Sequence, residues 1–547
     1  LIQNIRTSLK YIEKVEFPID FQPPEDEKTF KLLGEGDTSG IFQLESAGMR
    51  KVLQNLKPNS LEDIVAVNAL YRPGPMEQIP IFIERKHGQK QVEYPHRDLI
   101  SILEPTYGVI VYQEQIMQIA STMAGFSLGE ADLLRRAVGK KKQDVLAKER
   151  AHFVKGCKEN EYDEKTAHDI YDLIVKFANY GFNRSHAVAY SMIAYELAFL
   201  KANYRKVFMT ALLSSVLGNE QKISQYVAEC KKSGIDVLPP SINNSGIAFQ
   251  VEQEGIRFGL VFIKGIGAQI IKQIIEERKK KPFTDLFDFI VRLSPKVTRR
   301  TAEILIYSGC LDEFGQNRAT LLATLDAALQ HAELVKPNED EEQIGFLLEE
   351  EFNIEPKYVV VDPLPVDEQL HLEKEVLGFY LSHHPTEIYG KLLQLEGVNS
   401  IGNIELLSTP FVKVGAYITK VRSIRTRKGE VMAFISASDA TGDIDAVVFP
   451  TDYQRLSDQL EVGKVLVLEG KKEERNGKTQ LIVRAVNSME QLKNKYEEIV
   501  GSVYLKIDET VQPSANLKQL QQTLQTFKGP MPVVAHYVQS KKTVQLS

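Results

Sequence analysis

The sequence predicts a multidomain α+β chain: an α-rich N-terminal part, a second helical region, a small β-barrel and a small C-terminal α/β appendage. Three observations predict it. The 547 residues exceed what one core ordinarily organises. Apolar residues recur at helical spacing through most of the first 400 positions. Between 411 and about 490 the texture changes to short β-branched runs separated by turn signals.

The opening stretch "LIQNIRTSLKYIEKV" has Leu1, Ile5, Leu9 and Ile12 at helical spacing with no capping residue before them, so the expectation is a sequence that starts inside a helix of a longer protein. Residues 1–236 read as one α-rich unit broken by turns such as "YRPGP" (71–75) and "EPTYG" (104–108). "VLPPSINNSG" (237–246) is dense in helix-stopping and turn residues and marks a boundary. A helical region over about 260–335 then gives way to "KPNEDEEQIGFLLEEE", whose acidic run and short apolar island suit an exposed loop. Residues 411–490 hold "VKVGAYITKVRSI", "VMAFISASDA", "DIDAVVF", "KVLVLEG" and "TQLIVRAV", punctuated by "RKGE", "ATGD" and "RNGK". The helical interlude "TDYQRLSDQL" after the third run fits an OB-fold barrel. Beyond 497, "SVYLKIDE", the helical "NLKQLQQTLQTF" and "PVVAHYV" suggest the appendage, 497–547.

Composition excludes several classes. With 43% hydrophobic and 26% charged residues the chain is globular, and a net charge of −6 means that any nucleic-acid surface must be a local basic patch. Three scattered cysteines, Cys157, Cys230 and Cys310, argue against a disulfide framework and a structural zinc site, and point to a reducing cytoplasm. "AVAYSMIAYELAFL" (187–200) is too short for a membrane span and contains Glu196, and no signal peptide is present.

Basic and glycine-rich motifs carry the functional signal. In "NYGFNRSHAVAY" (179–190), Asn183, Arg184, Ser185 and His186 open an apolar helix, where unpaired backbone N–H groups suit phosphate oxygens. A capped helix with a locally satisfied histidine accounts for the same residues. "ADLLRRAVGKKKQD" adds Arg135 and Arg136 with no acid run nearby, then Lys140, Lys141 and Lys142 past Gly139, a possible helix C-cap. In "FIKGIGAQIIKQIIEER", Gly265 and Gly267 before an amphipathic helix fit a helix-hairpin-helix turn that grips a DNA phosphate through backbone N–H, with Lys264 and Lys272 adding charge. A dinucleotide fingerprint would need a third glycine and a βαβ unit. "GEGDTSG" (34–40) lacks the Lys-Ser/Thr ending of a phosphate loop. The only Asp-x-Asp, Asp443 and Asp445, falls on a barrel strand and reads as a solvated outer face, while His383 and His384 lack a third ligand at metal spacing and read as structural.

Taken together, "IFQLESAGM", "YRPGP", "EPTYGVIVYQEQIMQIA", "LRRAVGKKK" and "NYGFNRSHAVAYSMIAY" closely resemble the bacterial replicative DNA polymerase III alpha subunits, the C-family polymerases, over about residues 1–490. The resemblance implies polymerase fingers at 1–236, a helix-hairpin-helix and clamp-binding region at 237–400 and an OB-fold at 411–490. It implies that Arg135, Arg136, Asn183, Ser185 and His186 bind the incoming dNTP, steadying charge during phosphoryl transfer. "QIGFL" sits where the family carries its sliding-clamp peptide, so Gln343, Ile344, Phe346 and Leu347 become the clamp anchors; an amphipathic turn packed on its own domain is the alternative. The barrel would bind single-stranded template through Lys420, Arg422, Arg425, Arg427 and Lys428, with Tyr417 and Phe434 as candidates for stacking or for the interior. The family's palm, with three aspartates holding Mg²⁺, has no counterpart motif in these residues, so no catalytic residue or metal ligand is assigned and the chain alone is expected to be inactive.

The leading expectation is therefore part of a DNA-directed DNA polymerase. Its partners would be primer–template DNA, single-stranded DNA, dNTPs, the sliding clamp and other replisome subunits, with no membrane. A non-catalytic DNA-binding adaptor tethered to the clamp is the second reading. A metal-dependent nuclease is a distant third, for want of clustered carboxylates.

Overall fold

In the computed structural model, several helices begin where the sequence offers side-chain caps. Asp26 Oδ2 accepts from Thr29 N at 3.0 Å to start Glu27–Gly34, and Ser60 and Asp63 exchange hydrogen bonds to start Leu61–Leu70. All residues are described except 19–20, 141–142, 179–180, 336–355, 427, 476–477, 498–502, 508–521, 524–532, 539–542 and 547. They form two units: Leu1–Pro363 with Val376–Phe379, and Leu364–Glu375 with Tyr380–Ser547.

In the first unit, most of Leu61–Leu70 lies inside, with Ile64, Val65, Val67 and Leu70 buried and Glu62 reaching the surface. It packs on the long Arg184–Asn203 helix, which offers the small stripe Ala187, Ser191, Ala194 and Ala198; Asn68 Nδ2 donates to Ser191 Oγ at 2.8 Å. Glu196, which disqualified this helix as a membrane span, accepts from Arg6 Nε at 2.8 Å. Arg6 belongs to the helix Ile2–Ile12, whose Ile5 and Leu9 are buried as their spacing predicts. Among the described residues no helix is long and apolar enough to cross a membrane.

A second helical group comprises Gln113–Ala124, Leu128–Lys140, Gln143–Glu159 and Glu164–Ala178 around Ile116, Met123, Leu134, Phe153, Tyr171 and Ile174. The helix Leu128–Lys140 runs through Gly139, which corrects the expectation of a C-cap there. One short parallel bridge joins this group to the long helix: Phe182 N donates to Val111 O at 3.0 Å and Gln113 N to Phe182 O at 2.9 Å. The starts of two helices are thereby pinned side by side.

The Pro/Asn-rich segment 237–246 runs within the first unit, where its polar residues act as brackets. Ile242 N donates to Cys310 O at 2.9 Å, and Asn243 Nδ2 to Phe283 O at 2.9 Å. Around it lies a small sheet of β1 (Asp236–Leu238), β2 (Gln250–Val251) and β3 (Gly255–Arg257) in the order β1-β3-β2. The helices Ala268–Lys280, Leu286–Leu293, Arg299–Tyr307 and Arg318–Val335 follow. Cys157, Cys230 and Cys310 are buried and unpaired.

The second unit contains the barrel. β4 (Phe411–Arg425), β5 (Val431–Asp439), β6 (Gly442–Val448), β7 (Val465–Arg475) and β8 (Lys478–Ser488) close in the order β4-β5-β6-β8-β7, with the helix Pro450–Leu456 between β6 and β7. Alternation places Val414, Ala416, Ile418, Ile435, Ala446, Leu468 and Leu481 inside. At Gly470 the register shifts, and a Cβ there would meet Ile482 O at 2.0 Å, so only glycine permits the approach. The appendage is a three-stranded sheet, β11-β10-β9, with β9 (Val503–Ile507) parallel and β11 (Thr543–Leu546) antiparallel to β10 (Val533–Tyr537).

Candidate functional site

Asn183 caps the Arg184–Asn203 helix: its Oδ1 accepts from His186 N at 2.9 Å and Ser185 Oγ at 2.6 Å. The anion that meets this helix start comes from the chain itself. Glu114 accepts from Arg184 N at 3.0 and 3.2 Å and from Asn183 Nδ2 at 3.0 Å. Because Glu114 also stands in the first turn of Gln113–Ala124, one carboxylate serves two helix starts. Arg184 pairs with Glu62 at 2.6 Å. The His186 ring lies 5.4 Å from Phe182 and 4.2 Å from Tyr190, and Phe182 also receives the Arg72 guanidinium at 4.1 Å. Burial lowers the Arg72 pKa from its ordinary value.

The two basic stretches meet here. Arg135 donates to Gln113 Oε1 at 3.2 Å, and Gln113 N is bonded to Phe182 O, so Arg135 connects through one residue to the ring against His186. The expectation of acid-free arginines is corrected: Asp132, one turn earlier, holds Arg135 at 2.6 Å and Arg136 at 2.7 Å. Spacings of three and four residues bring these side chains within reach once the segment is helical. The arginines, led by the Arg135 hydrogen bond, hold the Asp132 carboxyl below its usual range. Arg136 remains 63% exposed, its guanidinium reaching solvent. Glu62, Glu114, Asp132, Arg72 and Gln113 are the site residues that sequence reasoning missed. The motifs "YRPGP" and "YQEQ" contain three of them, and their spacing alone gives no sign of convergence.

At the first hairpin, Gly265 takes φ +83°, and Gly267 starts Ala268–Lys280 with no side-chain cap. A Cβ at Gly267 would meet nothing within 4 Å, and Ala268 and Gln269 are exposed, leaving room for a phosphate against the helix start. Lys272 is exposed. Lys264, expected as a free cation, is instead paired with Glu220 at 2.6 Å. A second hairpin went unread: Leu286–Leu293 turns through Ser294–Thr298 into Arg299–Tyr307, with Thr298 as cap and Lys296, Arg299 and Arg300 exposed. "SPKVTRR" was the available signal, a proline turn and cap before adjacent arginines.

On the barrel, Lys420 pairs across strands with Ser436 and Arg422 with Phe434, so both cations share the outer face of β4. Arg425, an odd number of residues further, belongs to the opposite face, and Lys428 lies in the hairpin held by Thr426 N to Glu430 O at 2.8 Å. Lys420, Arg422, Arg425 and Lys428 are exposed and form no ion pair among the described residues; Arg427 lies outside them. Tyr417 is packed against Tyr380 at 5.6 Å and under the Lys374 ammonium at 5.2 Å, so its ring is occupied, whereas half-exposed Phe434 stands beside Arg422.

The remaining expectations resolve locally. His384 caps the turn Pro385–Tyr389 through Thr386 and reaches Ser438 Oγ at 3.2 Å, and His383 faces Glu387 at 3.4 Å. Asp443 and Asp445 point outward, Asp445 accepting from Ser436 at 3.0 Å. The "GEGDTSG" loop is fastened from below by Lys201, fully buried, which donates to Asp37 at 2.9 Å, Ser39 O at 3.0 Å and Glu229 at 2.6 Å. Among the described residues no group of three His, Cys, Asp or Glu could hold a metal ion. Gln343, Ile344, Phe346 and Leu347 lie outside the described residues.

Residues 1–161 match the family described as the bacterial DNA polymerase III alpha subunit finger domain, 234–321 a helix-hairpin-helix motif, and 412–488 an OB-fold nucleic acid binding domain. Arg135 and Arg136 fall inside the first match and Asn183, Ser185 and His186 beyond it. The chain is similar to DNA polymerase III subunit alpha of Bacillus subtilis strain 168, 52% identical over 547 residues, covering 100% of this chain and 49% of the relative. It is 47% identical over 527 residues to the Halalkalibacterium halodurans protein of that name, covering 96% and 46%. Against the Staphylococcus aureus strain COL protein it is 43% identical over 493 residues, covering 89% and 45%. The chain spans about half the length of the curated relatives it matches.

Proposed function

This chain belongs to the bacterial DNA polymerase III alpha subunits, whose C-terminal half it matches, and from that premise we propose that it serves template-directed DNA synthesis. Its helical unit contacts the incoming dNTP and primer–template, its barrel contacts single-stranded template, and residues 343–347 engage a sliding clamp in the cytoplasm, alongside other replisome subunits. The observation that carries the reading is the link from Arg135 through Gln113 and Phe182 to His186, with Arg136 sharing the Asp132 carboxylate with Arg135. Guanidinium and helix-start N–H groups fixed in one place suit a transferring triphosphate, where positioning and electrostatics do most of the work.

Mg²⁺ is the metal that such chemistry uses, and the residues present do not fit it. The described part has no cluster of three ligands, and the one Asp-x-Asp lies on a barrel surface with Asp445 bonded to Ser436. No step is therefore assigned to a metal on this chain.

Primer extension by the full-length polymerase tests the reading. Arg136→Gln should raise the KM for dNTP about tenfold, the size of one lost charged hydrogen bond, and leave the Kd for primer–template unchanged. An equal loss of DNA affinity would overturn the assignment. Phe346→Ala should weaken capture by the clamp and spare extension on short templates; clamp binding that is indifferent to Phe346 would leave the non-catalytic packing of that segment as the better account.

A further inference from the structure

The cationic groups of the proposed triphosphate site already hold carboxylates: Asp132 on Arg135 and Arg136, Glu62 on Arg184, and Glu114 on the helix start itself. The third differs from the other two, because it occupies the Arg184 backbone N–H that a phosphate oxygen would need. We propose that Glu114 is a displaceable counter-ion that must leave the Asn183–Arg184 helix start before a polyphosphate can bind, and that it thereby sets a fixed threshold excluding weakly held anions. The proposal rests on the nucleotide-site reading above.

A second, independent feature points the same way. Tyr112 is 2% exposed, its hydroxyl is buried, and that hydroxyl has no hydrogen-bond partner among the described residues. Burial raises its pKa above the ordinary value, with the charges of Glu62, Arg184 and Glu114 acting on it as well, so the orphan hydroxyl lies within reach of their field. The Arg184 guanidinium is 5.8 Å from its ring. Buried hydroxyls in folded proteins are almost always satisfied, and this one, without a partner, has its proton free to donate. A carboxylate displaced from Arg184 N supplies that acceptor. Glu114 is seen on the helix start, and the phenol is the second position that the proposal gives it once an arriving anion takes its place.

Displacing Glu114 carries the same cost for every anion. A single phosphate recovers little, whereas a polyphosphate that also reaches Arg135 and Arg136 recovers more. Removing the charge should therefore tighten all anions by a common factor while weakening the fold, since a neutral amide complements a helix start less well.

Titration calorimetry on this chain, with sodium tripolyphosphate and inorganic phosphate as probes and Tm followed in parallel, is the test. Glu114→Gln should bind both probes about tenfold tighter, in equal proportion, with a lower Tm. Tyr112→Phe should bind tripolyphosphate several-fold more weakly with Tm unchanged or raised, because an unsatisfied hydroxyl is gone. A lower Tm with unchanged or weaker anion binding in Glu114→Gln would make the residue purely structural and end the proposal. If wild type binds tripolyphosphate in a manner lost in Arg136→Gln, that failure leaves the nucleotide site standing. If neither wild type nor Glu114→Gln binds it, the site reading and the gate fall together.

Discussion

The cations around the long helix and those on the barrel are held in opposite ways. Arg135, Arg136 and Arg184 each carry a carboxylate, and Lys201, towards the other end of the long helix, carries two. Lys420, Arg422, Arg425 and Lys428 on the barrel are exposed with no ion pair among the described residues. Pairing fixes a guanidinium in direction and makes its ligand compete with an internal anion, which favours a polyvalent, well-placed partner. Bare cations on a strand and hairpin fix nothing, yet release counterions with any strand of phosphates that passes. The first arrangement suits a discrete small polyanion and the second a polymer read without sequence.

Four measurements break or sharpen this contrast. The largest effect belongs to Lys201→Ala, which takes the ammonium from Glu229 and leaves Asp37 with Arg205 alone; denaturant unfolding should show a loss of about 3 kcal/mol. A loss under 1 kcal/mol would mean the network is hydrated and the loop is fastened otherwise.

Next comes a strongly paired acid of the second unit. Glu396 is nearly buried between Lys495 at 2.6 Å, Lys413 at 2.9 Å and the Tyr496 hydroxyl at 2.8 Å. Burial works to raise its pKa, but these hydrogen bonds outweigh it and hold the carboxyl down at about 2. A depressed folded value means that its stabilisation is complete above the unfolded pKa, about 4.3, and is lost as pH falls towards 2. Glu396→Gln should cost on the order of 1–2 kcal/mol at neutral pH and flatten the acid limb of the stability profile between those values. An unchanged acid limb would show the pairing to be absent in solution.

Lys420→Ala with Arg422→Ala should weaken single-stranded DNA about tenfold at low salt and reduce the logarithmic salt slope by roughly 1.4, two phosphate contacts' worth. A preserved slope would place the strand on another face of the barrel. The smallest expected change is Asp132→Asn, which frees two arginines on one helix face: tripolyphosphate should bind about twofold tighter, with Tm nearly constant. Weaker binding would mean that Asp132 aims the arginines more than it competes for them.

Period and turn chemistry made much of the fold legible. The five barrel runs, the intervening helix, the buried Ile5 and Leu9 and the Gly265–Gly267 turn all stand where spacing and turn residues put them. The hairpin beginning at Ser294 was equally available, since a proline turn, a threonine cap and two arginines are local signals. Gly139 misled because a glycine near a helix end caps it only when the chain turns there, and here the helix continues to Lys140. The segment 237–246 has the turn residues its composition suggests, and bonds to Cys310 and Phe283, far along the chain, hold it in place.

Sequence by itself determined which groups could carry charge, where helices and strands start, and which family the motifs resemble, because caps, periodicity and side-chain chemistry act within a few residues of one another. Only the tertiary structure decided who faces whom. Glu114 meets Arg184 across 70 positions and Glu62 meets it across 122, and neither pairing leaves a periodic trace, since an ion pair depends on where two backbones converge. The same convergence set the anion at the helix start, left the Tyr112 hydroxyl without an acceptor, and covered Tyr417 while leaving Phe434 half-exposed.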